Sequence, residues 1–274
     1  MTTITSDQLS AIKQRQRATG ASGDYAAVAT LIVPVAERLV DFADIRAGEK
    51  VLDVATGSGN AALAAARLQT EVVGIDYVPT LLERARERAQ AERLTIDFRE
   101  GDAEKLPFAD DSFDSVISVF GSMFAPDHKQ TAREIVRVAR PGGTIALASW
   151  TPDGVIGALF RTVGQFAPPP AGLASPALWG TAEHLESIFG PDVGWVHSTG
   201  WFTFRFASAE AFVDYFLANY GPTLQALTAA GDRGEELRAA FGELVRDANR
   251  LGPDGPVAVP ATYLASVGTV AGSS

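Results

Sequence analysis

Between residues 49 and 150, short β-rich runs alternate with helix-favouring stretches, and this alternation limits the fold more than any other feature of the chain. The runs are KVLDVA (50–55), EVVGID (71–76), LTIDFRE (94–100), FDSVISVF (113–120) and GTIALASW (143–150). Most are continuously apolar, as expected of parallel strands covered on both faces. Between them, residues 61–68 are alanine-rich. Pro79 opens a second helix with Leu81, Leu82, Ala85 and Ala89 on one face. Asp127 can cap a third, whose Ala132, Ile135, Val136 and Ala139 recur at helical spacing until Pro141-Gly142-Gly143. The expected fold is α/β, with a doubly wound, Rossmann-like sheet.

The flanks are less regular. Residues 1–47 read as an N-terminal helical cap, broken at Gly20, Ser22 and Gly23 and helical again over 25–44. After Trp150, helices are expected over 154–167 and 181–189, with Thr181 as cap and Gly190 as stop. The prolines from 168 open a long loop that reaches Trp179 and reads as a lid or as inert. Residues 193–206 carry two β-rich pieces broken near Gly200, read as an antiparallel edge pair, which brings the mostly parallel sheet to seven strands. Strand material is expected to end near Phe206. Helices are then expected over 208–220 and 235–251, the latter with Leu237, Phe241 and Leu244 on one stripe. This gives a core over 48–206 and a C-terminal helical appendage over 207–274, a lid or a dimer contact.

The chain has 274 residues, of which 46% are hydrophobic, enough for a sizeable core. Its 23 Lys and Arg against 33 Asp and Glu give a net charge of −10. Without a basic run, that balance argues against a nucleic-acid partner. Cysteine is absent, which removes disulfides, thiolate metal sites and thiol nucleophiles; no metal site is expected. The uncharged stretch 162–182 is too rich in proline and glycine to span a bilayer, and the opening residues lack the apolar core of a signal peptide. A cytoplasmic protein with no membrane partner is the expectation.

The first β-rich run leads into Asp53-Val-Ala55-Thr-Gly57-Ser58-Gly59-Asn60 and then a helix. Glycines here permit a tight strand-to-helix turn and let a ligand lie on bare backbone. Gly57, Gly59 and Ala62 also satisfy a dinucleotide fingerprint, with Asp76 at the ribose-acid distance, so a nicotinamide-dependent oxidoreductase competes. Asp53, at the end of the run, suits a ligand bearing an ammonium group and disfavours a pyrophosphate. No tyrosine has lysine four positions on. A third reading is a non-catalytic cofactor-binding module that kept the fold.

Taken in order, VLDVATGSGN, VVGID, GDAEKLPF, FDSVISVFG and RVARPGG resemble the motifs of class I S-adenosylmethionine-dependent methyltransferases. The likeness is nearest the branch that holds the ubiquinone/menaquinone C-methyltransferases, and it covers about residues 48–150. Ala55 stands where many members carry the first loop glycine. The resemblance implies that Asp53 and the backbone of Ala55, Gly57, Ser58 and Gly59 hold the amino-acid end of S-adenosylmethionine. It implies Asp76, with Tyr77 beside it, at the ribose hydroxyls. Asp102 would accept from the adenine amine, the Ala103 amide would meet the ring, and Val119 would line the methionine end. The bland alternatives are a satisfied buried cap for Asp53 and a local N-cap for Asp102.

Methyl transfer from a sulfonium needs proximity, alignment and a dry site, and needs a base only when the acceptor must lose a proton. The acceptor is expected beyond the ends of the first and fourth strands, near Phe120, Met123, Phe124 and His128. His128 is a candidate general base, with a loop-shaping role at a helix start as the blander reading. His184 and His197 read as structural or exposed. Tyr25 is a candidate lid residue. Phe212, Tyr215, Phe216 and Tyr220 form an aromatic helix face, core or pocket wall. The sequence points to a small, apolar or aromatic methyl acceptor and to a possible homodimer, with the acceptor atom open.

Overall fold

The computed structural model describes residues 6–252 and 254–272; the first residues of the N-terminal segment, together with 253, 273 and 274, lie outside the described part. Helices α1 (Ser6–Gly20), α2 (Tyr25–Leu31) and α3 (Val33–Phe42) precede the sheet. Next come β1 (Lys50–Val54), α4 (Asn60–Ala66), β2 (Glu71–Asp76), α5 (Pro79–Glu92), β3 (Ile96–Glu100) and β4 (Phe113–Val119). They are followed by α6 (His128–Val138), β5 (Ala139–Trp150), α7 (Val155–Phe166), α8 (Ala182–Phe189) and β6 (Val193–Phe206). The chain closes with α9 (Ala209–Asn219), α10 (Gly221–Ala230), α11 (Gly234–Ala248) and β7 (Val257–Val270).

The seven strands form one sheet in the order β3-β2-β1-β4-β5-β7-β6. Neighbours from β3 to β5 are parallel, and β7 runs antiparallel to both β5 and β6. The order reverses beside β1, which opens a crevice beyond the C-terminal ends of β1 and β4. Residues Val51, Leu52 and Val54 of β1 and Val116 and Ile117 of β4 are wholly buried, because helices cover both faces. Small side chains let α4 lie close on the sheet; Ala61 to Ala66 are all buried. The α6 cap forms as expected, with the Asp127 carboxylate accepting from the Gln130 amide at 3.0 Å.

Three expectations about the flanks are corrected. The chain over 193–206 is a single strand running through Gly200, whose α-carbon lies against the Tyr263 ring. Its antiparallel partner is β7, from the tail expected to be helical, so strand material does not end near Phe206. The tail's last stretch is inserted between β5 and β6 and completes the sheet. Pro260 masks this in the sequence, because proline is excluded from the middle of most strands. It is tolerated here because pairing with β5 covers only Tyr263 to Thr269, leaving the proline beside β6 alone. The helical run expected over 25–44 is two helices that meet at Ile32, just before Pro34.

Candidate active site

The site is assembled at the C-terminal ends of β1 to β4. After β1 the chain turns through Ala55, Gly57 and Gly59, all with left-handed backbone (φ 54°, 55° and 86°). Gly59 opens α4, and a β-carbon there would sit 3.2 Å from Ala85, Leu63 and Phe98, so both conformation and packing require glycine. A second loop, after β4, touches the first. A β-carbon on Gly121 would collide with the Ala55 carbonyl oxygen.

Two buried carboxylates hold the turn in shape. Asp53 accepts from the Thr56 hydroxyl at 2.6 Å and the Ala62 amide at 2.9 Å. Asp76 accepts from the Gly57 amide and the Val78 amide, each at 2.8 Å. Burial pushes Asp53 up to about 7, opposed by those two hydrogen bonds and helped by the nearby charge of Asp76. Burial likewise pushes Asp76 up to about 6 against its backbone donors. Asp53 thus fills the buried-cap role that competed with ligand binding, and it shapes the surface on which a ligand would lie.

From β3 the chain reaches Asp102, whose carboxylate accepts from the Glu104 amide at 2.9 Å, the local turn weighed against an adenine contact. Its other oxygen pairs with Lys13 of α1 at 2.6 Å. Ala103 is buried behind it. Tyr77 is half-buried, and burial with the charges of Asp76, Asp102 and Glu104 raises its phenol well above the ordinary value. Ser58 is buried in the loop, and its carbonyl oxygen accepts from Arg88 of α5 at 2.6 Å. Val119 is half-buried at the end of β4.

Tyr25 covers the turn, its ring carbon 3.6 Å from the β-carbon position of Gly57. Burial, helped by the charge of Asp76, pushes its phenol up to about 12. Beside it is a cavity of about 30 Å³ walled by aromatic rings, among them Tyr25, Phe120, Phe124, Trp150, Phe216 and Tyr220. Phe120 stacks on Trp150 with centroids 3.7 Å apart and planes 2° from parallel. Among the described residues, the polar side-chain groups that line the cavity are the phenols of Tyr25 and Tyr220 and the indole of Trp150.

Two acceptor-side candidates stand apart from that wall. Met123 is fully buried in the turn Ser122–Phe124. His128 is buried at the start of α6, with Nδ1 2.9 Å from His184 Nε2 and its ring edge-on to Trp179. Burial is the main cause that lowers His128 to about 4, with His184 adding to it. This places the ring in the packing between α6 and α8, where the blander reading of a structural residue fits.

Sequence reasoning missed four residues that shape the site: Lys13, Arg88, Trp150 and the loop-anchoring Asn60. Asn60 donates to the Ala29 carbonyl of α2 at 2.8 Å and accepts from Arg88 at 2.7 Å. Each acts across a large sequence separation, and no local spacing marks it.

Residues 52–147 match the family described as "Methyltransferase domain". The chain is 45% identical over 220 residues to the uncharacterized protein Rv1405c of Mycobacterium tuberculosis, covering 79% of this chain and 80% of that one. It is 37% identical over 156 residues to the demethylmenaquinone methyltransferase of Thermus thermophilus, covering 55% of this chain and 71% of that one. The crystal structure of YcgJ from Bacillus subtilis superposes with a TM-score of 0.58 at 21% identity, covering 87% of this chain and 98% of that one. That likeness carries the fold; the domain match and the methyltransferase relative, more than two thirds of which this chain covers, carry the family. The nicotinamide reading thereby gives way, and the chain belongs to the class I S-adenosylmethionine-dependent methyltransferases.

Proposed function

We propose that this methyltransferase binds S-adenosylmethionine along the ends of β1, β2 and β3 and methylates a small, apolar or aromatic molecule in the ring-walled crevice. The observation that carries this reading is the Asp53–Gly59 turn tied to Asp76, with Asp102 at the next strand end. The residues fit the cofactor. The turn offers bare backbone for the amino-acid end, Asp76 offers carboxylate lone pairs to ribose hydroxyls, and Asp102 offers an acceptor for an exocyclic amine. Once bound, the cofactor supplies an activated methyl group on a cationic sulfur.

This chain's residues then have three tasks. The turn and the two strand-end acids fix the direction of the donor. Tyr25 and the α2 helix exclude water from above, which preserves the alignment that an in-line displacement needs. The stacked pair Phe120 and Trp150 belongs to the apolar wall of a cavity of about 30 Å³, which must widen before a planar acceptor can lie against it. With neither histidine, lysine nor carboxylate among the described residues of that wall, the reading favours an uncharged acceptor that loses its proton to water rather than to a protein base.

A panel of uncharged phenols, indoles and enolisable ring ketones, incubated with methyl-labelled S-adenosylmethionine, tests this. Label transfer to members of this panel and not to matched charged amines or carboxylates is the expected outcome. Transfer confined to charged acceptors contradicts the reading.

A further inference from the structure

Helix α1 lies across the rim where the adenine end of the cofactor is expected, and three side chains hold it there. Lys13 Nζ is 2.6 Å from Asp102 Oδ2 and 2.5 Å from Glu104 Oε2. Gln16 donates to the Phe124 carbonyl at 2.9 Å, and Arg17 pairs with Glu100 at 2.6 Å. The two acids that share Lys13 are not equivalent. The Asp102 side chain is 36% exposed and can be reached by a ligand; the Glu104 side chain is 4% exposed and cannot.

That asymmetry decides which bond can be exchanged. A buried carboxylate stripped of its cation is costly, on the order of several kcal/mol for a lone buried charge. Among the described residues, Glu104 has Lys13 as its cation and the Asp127 amide as a further donor, at 2.7 Å. Asp102 can lose Lys13 at little cost if another donor replaces it, because its second oxygen keeps the Glu104 amide. The hydrogen bonds and charges of both acids overcome the effect of burial on Lys13 and leave it above its ordinary value, so it remains cationic.

Resting on the cofactor site proposed above, we infer that Lys13 is a partner-exchanging residue: it yields Asp102 to the adenine amine when the cofactor binds and keeps Glu104, so that α1 stays on the rim as a cover. Lys13 therefore competes with the ligand for Asp102, and Glu104 is the acid that draws it away. Removing Glu104's charge leaves Lys13 with Asp102 alone and strengthens the competition. Gln16 and Arg17 keep α1 in place through the exchange.

The test is calorimetric titration of the full chain with S-adenosylhomocysteine, whose own charges cancel. Glu104→Gln, which keeps an acceptor for the Asp127 amide, is expected to weaken binding about tenfold. Lys13→Met is expected to tighten it severalfold, and the double variant to match Lys13→Met. As a measurement on the unaltered protein, raising salt from about 0.02 M to about 0.5 M weakens the ion pair and is expected to tighten binding. Wild-type binding that neither variant alters, or that weakens with salt, overturns the exchange alone. No binding to the wild type overturns the cofactor site and the exchange together.

Discussion

The carboxylate of Asp76 receives the amide of Gly57 at 2.8 Å, joining the end of β2 to the glycine turn that follows β1. The same carboxylate receives the amide of Val78 at the start of α5. One side chain therefore sets the spacing between two strand ends and still has lone pairs to offer a ligand.

Replacing Asp76 separates these roles. Asp76→Ala is expected to lower S-adenosylhomocysteine affinity about tenfold to a hundredfold, since a hydrogen bond to a charged group contributes roughly 1.5–3 kcal/mol. It is also expected to lower the unfolding midpoint, because two buried amides lose their acceptor. Asp76→Asn retains acceptor oxygen for one of those amides and is expected to recover more stability than affinity. Calorimetry and thermal unfolding on both variants check this; unchanged affinity in Asp76→Ala removes the residue from the site.

The raised acids make both folding and binding depend on pH. A carboxylate whose folded value lies above its unfolded one contributes stability that is complete below about pH 4 and is lost as pH climbs through the folded value. For Asp76 at about 6 and Asp53 at about 7, that loss falls between pH 4 and roughly 8. The sulfonium of S-adenosylmethionine favours their ionised forms, so binding is expected to release protons near pH 6.5 and to tighten toward pH 8. Titrations in buffers of different ionisation enthalpy measure the release directly, and its absence contradicts the assignment.

His128 offers a contrast. Its value falls to about 4, so the ring is neutral in the folded chain at neutral pH, and its contribution, complete above about 6.5, is lost as pH falls from there through about 4. His128→Ala opens a gap beside Trp179 and His184 and is expected to cost about 1–3 kcal/mol of stability. S-adenosylhomocysteine affinity should change less than twofold. A large loss of methyl transfer with stability intact points instead to a catalytic base.

The tail is expected to be indispensable to the sheet. A chain ending at Ala207 lacks β7 and leaves β5 and β6 with no partner along that edge. Such a chain is expected to be insoluble or to lose the cooperative unfolding transition, as circular dichroism on heating reports. A soluble, cooperatively unfolding product contradicts the structural role of β7.

The part of the fold that could be read from the sequence is the part with local signals. Five apolar runs, the glycine turn and the Asp127 cap each announce themselves within a few residues, and the strand-end acids follow from them. β7 did not, because Pro260 and Gly268 look like strand breakers until its neighbours are known. The acids at 53, 76 and 102 were legible as a set, but their commitments were not. Whether Asp102 meets a lysine 89 positions away depends on where α1 lands. His128 left two readings open in the sequence, a base or a structural residue at a helix start, and the ring's place against Trp179 could not be read from local spacing.

A crystal structure of the protein with S-adenosylhomocysteine tests the central claim most directly. The account predicts the adenine amine on Asp102, the ribose hydroxyls on Asp76 and the amino-acid end over the Ala55–Gly59 backbone. A ligand bound elsewhere at full occupancy, or an empty turn in crystals grown at saturating ligand, contradicts it.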